Sequence, residues 1–591
     1  MTGLIKMFRP TMIGVRRHAA AGETGRVLLA AAMLAGGCCA NGADVVIDQA
    51  QTFQTISGWG HGGGVLGGTT GAASMLAAAL ADPVNYQYLD FLVDDLGLTG
   101  TRTWEVGPRI DGTGTDDGDC DVVDWNLFES DTLSSQDAGY LVHYQNRILA
   151  EGYQSSFYSS PGYPTHASDV KPWVMNHPGE RAQQIWASAL FCKTNYGLSI
   201  NYAVIYNEPS FASAILADDI KALGPRLAAH GLTTQVQYAE AVAPQTDWGY
   251  ITPELSDPDM WQYVGRVSYH DYGTADPYRS YLRDYGKARG LTTAQTEMGN
   301  PTFDDLFSDL TLGGVSYWEV AYSASLTLAP NSGQTAFTPS STYFRIRQLT
   351  HYVRPGAVRI AAVLSDPSIR ALAFLQNGKV TTVIENISSS TQTVNLNALP
   401  PRSYGVSQAQ SSATSFKELG IHTVGADGTL VLTNVAAGSA VTTVYPYPGT
   451  NQPPTIEVWG ASPGYVVAPT NTATLAVTAN DPELATLTYR WSVTNQPAGA
   501  NAVLVNSNAA TTVVNGLTVA GTYVFNVNVS DGVNTSAKQV YLGLMRSSSS
   551  LGATGGGRVI RRCCMCGGLG SRRRTSRQSR GRRQAGSRAG C

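Results

Sequence analysis

Short apolar segments alternate with longer amphipathic segments over residues 57–354. The short segments have the length and composition of β-strands, and eight of them stand at 56–60, 97–104, 154–159, 198–206, 233–239, 264–270, 292–296 and 314–318. Candidate helices fill the intervals at 83–96, 136–151, 178–196, 211–230, 277–289 and 341–352. This alternation predicts an α/β fold, a (β/α)8 TIM barrel, whose functional groups lie at the C-terminal ends of the strands.

After residue 355 the helical periodicity disappears. The segments 369–375, 379–387, 391–396, 429–435 and 440–445 alternate polar and apolar residues between turns. They predict a β-sandwich over 355–447 that is attached to the barrel. Residues 44–56 precede the first barrel strand and contain two strand-like segments, so we expect them to join this sandwich.

A proline-containing linker, 448–454, introduces a second all-β segment at 455–545. This segment contains Asn480-Asp-Pro-Glu483, Tyr489-Arg-Trp491 and a strand-like stretch that ends in Asp531-Gly532. These motifs resemble an immunoglobulin-like domain of the polycystic kidney disease (PKD) type. The resemblance implies an accessory module in which Trp491 packs in the core and the Asp-Gly pair closes a hairpin.

The first 43 residues have the pattern of an export signal: basic residues precede a short apolar run at 27–34, and small residues follow it. The run is too short to span a bilayer. Leu34-Ala-Gly-Gly-Cys38 resembles a bacterial lipoprotein cleavage site, although Ala35 stands where Leu is usual. We therefore expect a secreted or cell-surface protein, with a lipid anchor at Cys38 as the alternative to release.

The last 46 residues contain twelve Arg, four Cys and no Lys, Asp, Glu or aromatic residue, so they predict a disordered tail over 546–591. We interpret this tail as a sorting segment or a reading-frame artefact. A tether to anionic surfaces is an alternative interpretation. A metal site at its cysteines is less favoured, because His and a second Cys pair at ligand spacing are missing from this part of the sequence.

Composition and charge limit the possible functions of the chain. At 591 residues, with 43% hydrophobic and 14% charged residues, the chain should form two to four globular domains. Without leader and tail the chain keeps 23 basic and 43 acidic residues, a net charge near −20. Such a surface argues against nucleic acid and suits an enzyme that acts on neutral polymers. Cys120 and Cys192 remain, so one disulfide is conceivable and a disulfide scaffold is not.

Two glutamates follow barrel strands at comparable places. Glu208, in Asn207-Glu-Pro209, closes the fourth strand, and Glu297 closes the seventh, so both should face the same rim. A lone Glu before Pro is usually a solvated turn residue. The presence of a second glutamate, Glu297, in the same context is what favours a catalytic role for Glu208. Cleavage of an acetal needs one carboxyl to protonate the departing oxygen and a second to attack or stabilise the sugar carbon. The pair predicts glycoside hydrolysis.

Residues 44–447 resemble glycoside hydrolase family 30, a retaining family with a (β/α)8 barrel. The motifs that carry the resemblance are Gln54-Thr-Ile-Ser-Gly-Trp-Gly60, Ser159-Ser-Pro161, Asn207-Glu-Pro209, His270-Asp-Tyr272, Thr296-Glu297, Tyr317-Trp318 and Val353-Arg-Pro-Gly356. The resemblance implies that Glu208 is the general acid/base and Glu297 the nucleophile. It also implies sugar-contacting or orienting roles for Asn207, His270, Tyr272 and Trp318.

Local chemistry adds further candidates. An ionised nucleophile needs a cation nearby, and Arg102 at the end of the second strand is the candidate. Trp59 and Trp104 are expected to shape subsites at the rim. Glu105 and Glu319 are the alternative partners of Glu208 if the strand count has slipped. The sequence departs from the family form at 60–64 and 160–164, which leaves the substrate open.

These observations predict a secreted retaining β-glycosidase that needs no metal or cofactor and acts on a β-linked oligo- or polysaccharide. Family members act on β-1,6-glucans, β-1,6-galactans, xylans, fucosides or glucosylceramide. Two alternatives stay open: another barrel enzyme, such as an endoglucanase or xylosidase, and an inactive surface protein that binds glycans. Nucleic acid and a transmembrane span are not expected, and the sequence does not determine the oligomeric state.

Overall fold

The structure of the chain is a computed structural model that describes residues 42–62, 89–104, 120–123, 125, 132–160, 177–273, 276–321, 326, 339–412 and 414–545. Residues 1–41 of the predicted leader (1–43), with Cys38, and the predicted tail from residue 546 onward lie outside these ranges. The last residue of the predicted leader, Ala43, is the first residue of a strand, Ala43–Thr55. Within the described ranges, no helix combines the length and the apolar character that crossing a bilayer requires.

After β1 (Ala43–Thr55), eight parallel strands form a closed barrel. They are β2 (Gly58–His61), β3 (Gly100–Trp104), β4 (Ser156–Ser160), β5 (Ile200–Val204), β6 (Gln235–Ala239), β7 (Val264–His270), β8 (Thr292–Glu297) and β9 (Tyr317–Val320). The barrel closes where β9 pairs with β2 in parallel. Every predicted strand overlaps an observed one, so the predicted barrel is confirmed.

Helices pack on the outside of the barrel. They are α1 (Thr132–Ala150), α2 (Pro178–Tyr196), α3 (Ser213–Ala229), α4 (Pro244–Ile251), α5 (Pro258–Trp261), α6 (Tyr278–Ala288), α7 (Phe303–Ser308) and α8 (Ser341–Thr350), with shorter helical turns at Asp90–Asp95, Thr252–Glu254 and Asp309–Gly313. In α2 the local signals agree with the boundaries, because Pro178 opens the first turn and Gly197, at φ 66°, ends the helix. The sequence pattern missed α4, α5 and α7.

The barrel lumen is a packed core. Tyr158 and Tyr317 meet there, and the guanidinium of Arg266 lies 3.9 Å from the ring centroid of Tyr202 and 4.7 Å from that of Tyr317. A Cβ at Gly100 would lie 2.4 Å from the Tyr317 hydroxyl, so this position accepts only glycine. Since large side chains fill the lumen, space for a ligand remains at its ends.

Nine strands form a sandwich-like sheet region beside the barrel. Its strands after the barrel are β10 (Val358–Leu364), β11 (Ile369–Gln376), β12 (Lys379–Asn386), β13 (Gln392–Asn397), β14 (Ser403–Ala409), β15 (Phe416–Thr423), β16 (Leu430–Val435) and β17 (Ala440–Pro446). β1 lies between β10, its antiparallel neighbour, and β13, its parallel neighbour. The expectation that the segment before the barrel joins these strands is confirmed.

The last described part of the chain is an all-β sandwich. One sheet contains β18 (Thr455–Ser462), β20 (Ala473–Asn480), β22 (Val503–Leu504) and β23 (Thr511–Asn515), and the other contains β19 (Tyr465–Val467), β21 (Thr488–Asn495), β24 (Gly521–Ser530) and β25 (Thr535–Met545). Trp491 is buried in its core. The Asp531 carboxylate accepts the N–H groups of Val533 and Asn534 and so closes the β24–β25 turn. Both expectations are confirmed.

This C-terminal module packs directly on the barrel. The Trp459 ring stacks on Phe91 with 4.6 Å between centroids. Lys538 lies over the same indole and places its Nζ 3.1 Å from a carboxylate oxygen of Asp90. The contact therefore combines a buried aromatic pair with an ion pair at its edge.

Cys120 and Cys192 are both free thiols, so the conceivable disulfide is not formed. Cys192 is buried in α2, and burial raises the pKa of its thiol to about 12. The Cys120 sulfur accepts a hydrogen bond from Arg226. Neither cysteine is arranged for redox pairing with the other.

Candidate active site

Five barrel strands bring polar side chains to one point of the C-terminal rim. The chain supplies Arg102 from β3, Glu208 after β5, Glu240 after β6, His270 at the end of β7 and Glu297 at the end of β8. An oxygen of Glu208, an oxygen of Glu297 and a ring nitrogen of His270 lie within 4.8 Å of one another. The structure thus brings together the two glutamates that the sequence predicts as a pair.

Glu297 is held as a carboxylate. Arg102 Nη1 lies 2.5 Å from its Oε2, and the Tyr272 hydroxyl donates to its Oε1 at 3.0 Å. Burial alone would raise the pKa of Glu297, but the charges of His270 and Arg102 and these hydrogen bonds lower it to about 2. A carboxylate that stays ionised at neutral pH is suited to attack an electrophilic carbon.

Glu208 differs from Glu297 in exposure and in partners. Its side chain is 18% exposed against 7% for Glu297, and its Oε1 lies 3.0 Å from His270 Nδ1. Its backbone is left-handed, with φ 50°, and its N–H donates to the carbonyl of Glu240 at 2.9 Å. Such a conformation costs roughly 1–3 kcal/mol for a residue other than glycine, which is typical of side chains held for a function.

His270 lies between three carboxylates. Its Nδ1 faces Glu208 at 3.0 Å and Glu297 at 3.7 Å, and its Nε2 faces Glu240 at 3.0 Å. Burial opposes a charge on the ring, but the charge of Glu297 and the hydrogen bonds to Glu208 and Glu240 outweigh it and raise the pKa of His270 to about 10. The ring is therefore an imidazolium that donates from both nitrogens.

Glu240 is fully buried and is the carboxylate that the sequence reasoning missed. Its Oε2 accepts from His270, and its Oε1 accepts from Thr296 at 2.8 Å and from Gln237 at 2.5 Å. Burial would raise its pKa, yet the hydrogen bond from His270 and those from hydroxyl groups lower it. The signal was present, because Glu240 directly follows β6 and Glu208 comes four residues after β5, but the loop at 240–243 contains neither Gly nor Pro.

Asn207 and Tyr272 also reach the cluster. The Asn207 side-chain oxygen accepts a hydrogen bond from Arg102 at 3.0 Å, so its amide is fixed beside Glu208. Tyr272 is 43% exposed while its hydroxyl binds Glu297, so its ring borders the open side of the site. Both side chains therefore border the two glutamates.

Glu319, one alternative partner of Glu208, lies inside the barrel. Its two oxygens accept hydrogen bonds from Tyr158 and Tyr317, each at 2.8 Å. Burial raises its pKa to about 8, so it is a neutral acid near pH 7. Glu319 is therefore unsuited to act as a nucleophile. The other alternative, Glu105, lies outside the described residues.

Two of the predicted sugar contacts are wrong. Trp59 and Trp318 are both buried, and their indole N–H groups donate to the carbonyl of Val353 at 2.6 Å and to the carboxylate of Asp309 at 3.0 Å. Both rings thus pack in the layer between the strands and the helices, because the neighbours Tyr317 and Glu319 point into the lumen. Trp104 ends β3, and its side chain lies outside the described parts of the chain.

Glu208, His270 and Glu297 are close enough together to ligate a metal ion in principle. The donor set does not fit one well, since His270 uses both ring nitrogens toward carboxylates and Arg102 already neutralises Glu297. A neutral imidazole and uncompensated carboxylates would be needed. The arrangement is that of an ion-pair network around two carboxylates.

Comparisons with known proteins agree with this architecture. Residues 464–542 match a family model that describes a PKD domain. A glycoside hydrolase family 30 subfamily 8 xylanase from Clostridium acetobutylicum is 17% identical with a TM-score of 0.51, over 68% of this chain and 100% of that protein. The catalytic domain of a family 30 xylanase from Talaromyces cellulolyticus is 16% identical with a TM-score of 0.53, over the same shares.

A family 30 endoxylanase from Clostridium papyrosolvens is 16% identical with a TM-score of 0.52, again over 68% of this chain and 100% of that protein. No curated protein sequence matches the chain. At these identities the likeness concerns the fold. About two thirds of the chain therefore have the fold of the family 30 glycoside hydrolases, and a PKD domain stands at 464–542.

Proposed function

We propose that this protein is a retaining β-glycosidase that hydrolyses a β-linked glycan by double displacement. The observation that carries the proposal is the pair Glu208 and Glu297, which have side-chain oxygens within 4.8 Å of each other. Their environments differ, because Glu297 is ion-paired with Arg102 and Glu208 is more exposed. Retaining glycosidases hold their carboxyl groups roughly 5–5.5 Å apart, whereas inverting ones leave roughly 6.5–9.5 Å for a water molecule. The spacing favours the retaining class.

In the first step Glu297 attacks the anomeric carbon while Glu208 gives its proton to the departing oxygen. Arg102 and Tyr272 keep Glu297 ionised and aligned until the bond forms. In the second step Glu208, now a carboxylate, takes a proton from water, which attacks the same carbon and releases Glu297. His270, a cation between the two glutamates, stabilises whichever of them carries the negative charge.

The test is hydrolysis of aryl β-glycosides and β-linked polysaccharides by the full chain and by variants. Glu297→Gln should abolish the first step with every substrate. Glu208→Gln should slow cleavage of polysaccharides by about 10²–10⁴-fold. With dinitrophenyl glycosides, whose leaving group departs without a proton, the variant should keep the first step and slow the second, so that the glycosyl-enzyme accumulates. Glu151→Gln, at an exposed position after α1, is the matched control and should not change the rate.

The anomeric form of the first sugar released, followed by NMR, tests the mechanism. Retention supports the proposal, and inversion contradicts it. The alternative of an inactive glycan-binding protein predicts a different pattern: sugar is bound, no substrate is cleaved, and Glu297→Gln changes nothing. The same screen identifies the sugar and its linkage.

Export remains part of the proposal. The leader and the alternative lipid anchor at Cys38 are predictions from the sequence. If the substrate is a soluble polymer outside the cell, the enzyme must be exported, and the leader would direct that export. Edman sequencing of the mature N-terminus distinguishes a free end near residue 43 from a blocked, lipid-modified Cys38.

A further inference from the structure

A cavity lies on the face of the barrel opposite the candidate active site. It is bordered by β1, by α6 and by the first residues of β8, and its volume is ≈ 670 Å³. β8 begins at Thr292 and ends at Glu297, so roughly 16 Å of strand separates the cavity from the catalytic rim. The volume is within the range of about 300–1,000 Å³ that small-molecule sites occupy.

The lining combines hydroxyl groups with cations. The hydroxyl side chains are Thr52, Thr55, Thr292, Thr293, Thr311 and Ser316. Three cations, Arg283, Lys287 and Arg359, face one carboxylate, Asp284. The chain without its two ends has a net charge near −20, so a cavity with a net positive lining is a local exception that favours an anionic ligand.

Arg359 is the central group of this cavity. It is 9% exposed, its Nε donates to Gln54 Oε1 at 3.0 Å, and its guanidinium carbon lies 3.8 Å from the ring centroid of Phe53. Gln54 is itself fixed, because its Nε2 donates to the carbonyls of Leu310 at 2.7 Å and Val315 at 3.2 Å. Across the described parts of the chain, Arg359 makes no further hydrogen bond and no ion pair.

The charge of Arg359 is poorly compensated. Burial and the neighbouring Arg283 lower its pKa to about 10, which shows how little negative charge is nearby. Arg283 binds Asp284 at 2.8 Å, but the Asp284 side chain is 65% exposed and screened by water. The two Nη groups of Arg359 are left for a ligand, in the planar geometry that matches a carboxylate.

We propose that this cavity binds an acidic sugar, a hexuronate unit, with its carboxylate on Arg359 and Lys287 and its hydroxyl groups on the threonines. An inorganic anion would use the cations but would fill only a small part of the ≈ 670 Å³. A neutral sugar would leave the buried guanidinium uncompensated. The proposal does not rest on the proposed hydrolysis, because the cavity and the carboxylate pair are at opposite ends of the barrel.

The test is isothermal titration of the full chain with sodium D-glucuronate, with an oligosaccharide that ends in glucuronate, and with glucose and sodium acetate as controls. We expect saturable binding of one glucuronate below about 10 mM, weakened on the order of tenfold by Arg359→Lys, which keeps the charge and loses the planar fork. Lys287→Gln is the second variant, since Lys287 is exposed on α6 and its replacement does not threaten folding.

Lys417→Gln, an exposed lysine on β15 outside the cavity, is the matched control and should bind like the parent. Binding of both uronate probes supports a glycan branch as the ligand, and binding of the free acid alone supports a free acidic sugar. Three results overturn the proposal: no saturable binding, binding that Lys287→Gln and Arg359→Lys leave unchanged, and equal affinity for acetate and glucuronate.

Discussion

Replacement of Glu240 by Gln should change the charge of His270 with little change in shape. The oxygen Oε1 accepts from two donors, Thr296 and Gln237, so the new amide must keep its oxygen there. Its NH2 group then faces His270 Nε2, which can accept a hydrogen bond only when the ring is neutral. We therefore expect Glu240→Gln to convert His270 from an imidazolium to the neutral tautomer with its proton on Nδ1.

The size of the effect follows from the pKa of His270, which folding raises from 6.5 to about 10. This shift corresponds to ~5 kcal/mol of stability, present in full below pH 6.5 and lost as the pH rises through 10, because the unfolded chain releases the proton first. The parent should thus lose ~1.4 kcal/mol per pH unit in this window relative to Glu240→Gln. The deficit of the variant should be largest below pH 6.5 and should shrink toward pH 10.

The assay is urea denaturation of parent and variant at several pH values between 6 and 10. Glu385→Gln is the matched control, because Glu385 is also buried and ion-paired, at 3.1 Å from Arg345 and 3.0 Å from Arg370, without a histidine partner. Its deficit should not depend on pH in this window. Parallel stability curves for the parent and Glu240→Gln would refute the assignment of an imidazolium at His270.

Two further predictions concern single contacts. Tyr272→Phe removes a hydrogen bond to Glu297 worth about 1.5 kcal/mol, so the pKa of Glu297 should rise by about one unit from about 2. The acid limb of the pH profile of kcat/KM should therefore move to higher pH, and an unmoved limb would contradict this prediction. Trp459→Ala removes the ring that stacks on Phe91 and should lower the free energy of unfolding by about 3–5 kcal/mol. Thermal denaturation beside the exposed control Val533→Ala measures the loss, and equal midpoints for the two variants would contradict the prediction.

The barrel could be predicted from the sequence because each strand is a short apolar segment between polar loops, and because parallel strands present their C-terminal ends on one rim. That reasoning placed Glu208 and Glu297 together without any knowledge of side-chain contacts. Glu240 obeys the same rule and was missed, since the alanines beside it carry no turn signal. Its partner His270 is 30 residues away, and no local pattern links the two.

The direction in which the barrel tryptophans point could not be predicted from the sequence. Trp318 and Glu319 are neighbours on one strand, and one points to the helices while the other points into the lumen. Which of two adjacent residues faces inward depends on the stagger of the strands, and a shift of one residue reverses every assignment. The contact of Trp459 with Phe91 is similarly hidden, because it joins residues that are far apart in the sequence and lie in different modules.

The position of β1 has a consequence for biosynthesis. Val45 pairs with Leu364 and Ala43 with Val394, so β1 is synthesised more than 300 residues before these partners and must wait for them. At 5–20 residues per second the wait is roughly 15–60 s, during which its hydrogen-bonding edges are unpaired. Because β1 lies between β10 and β13, its loss would divide the nine-stranded sheet into two pieces. Because Ala43 is paired with Val394, a proteolytic cut after Ala43 would shorten β1 and weaken the strand that joins the two pieces.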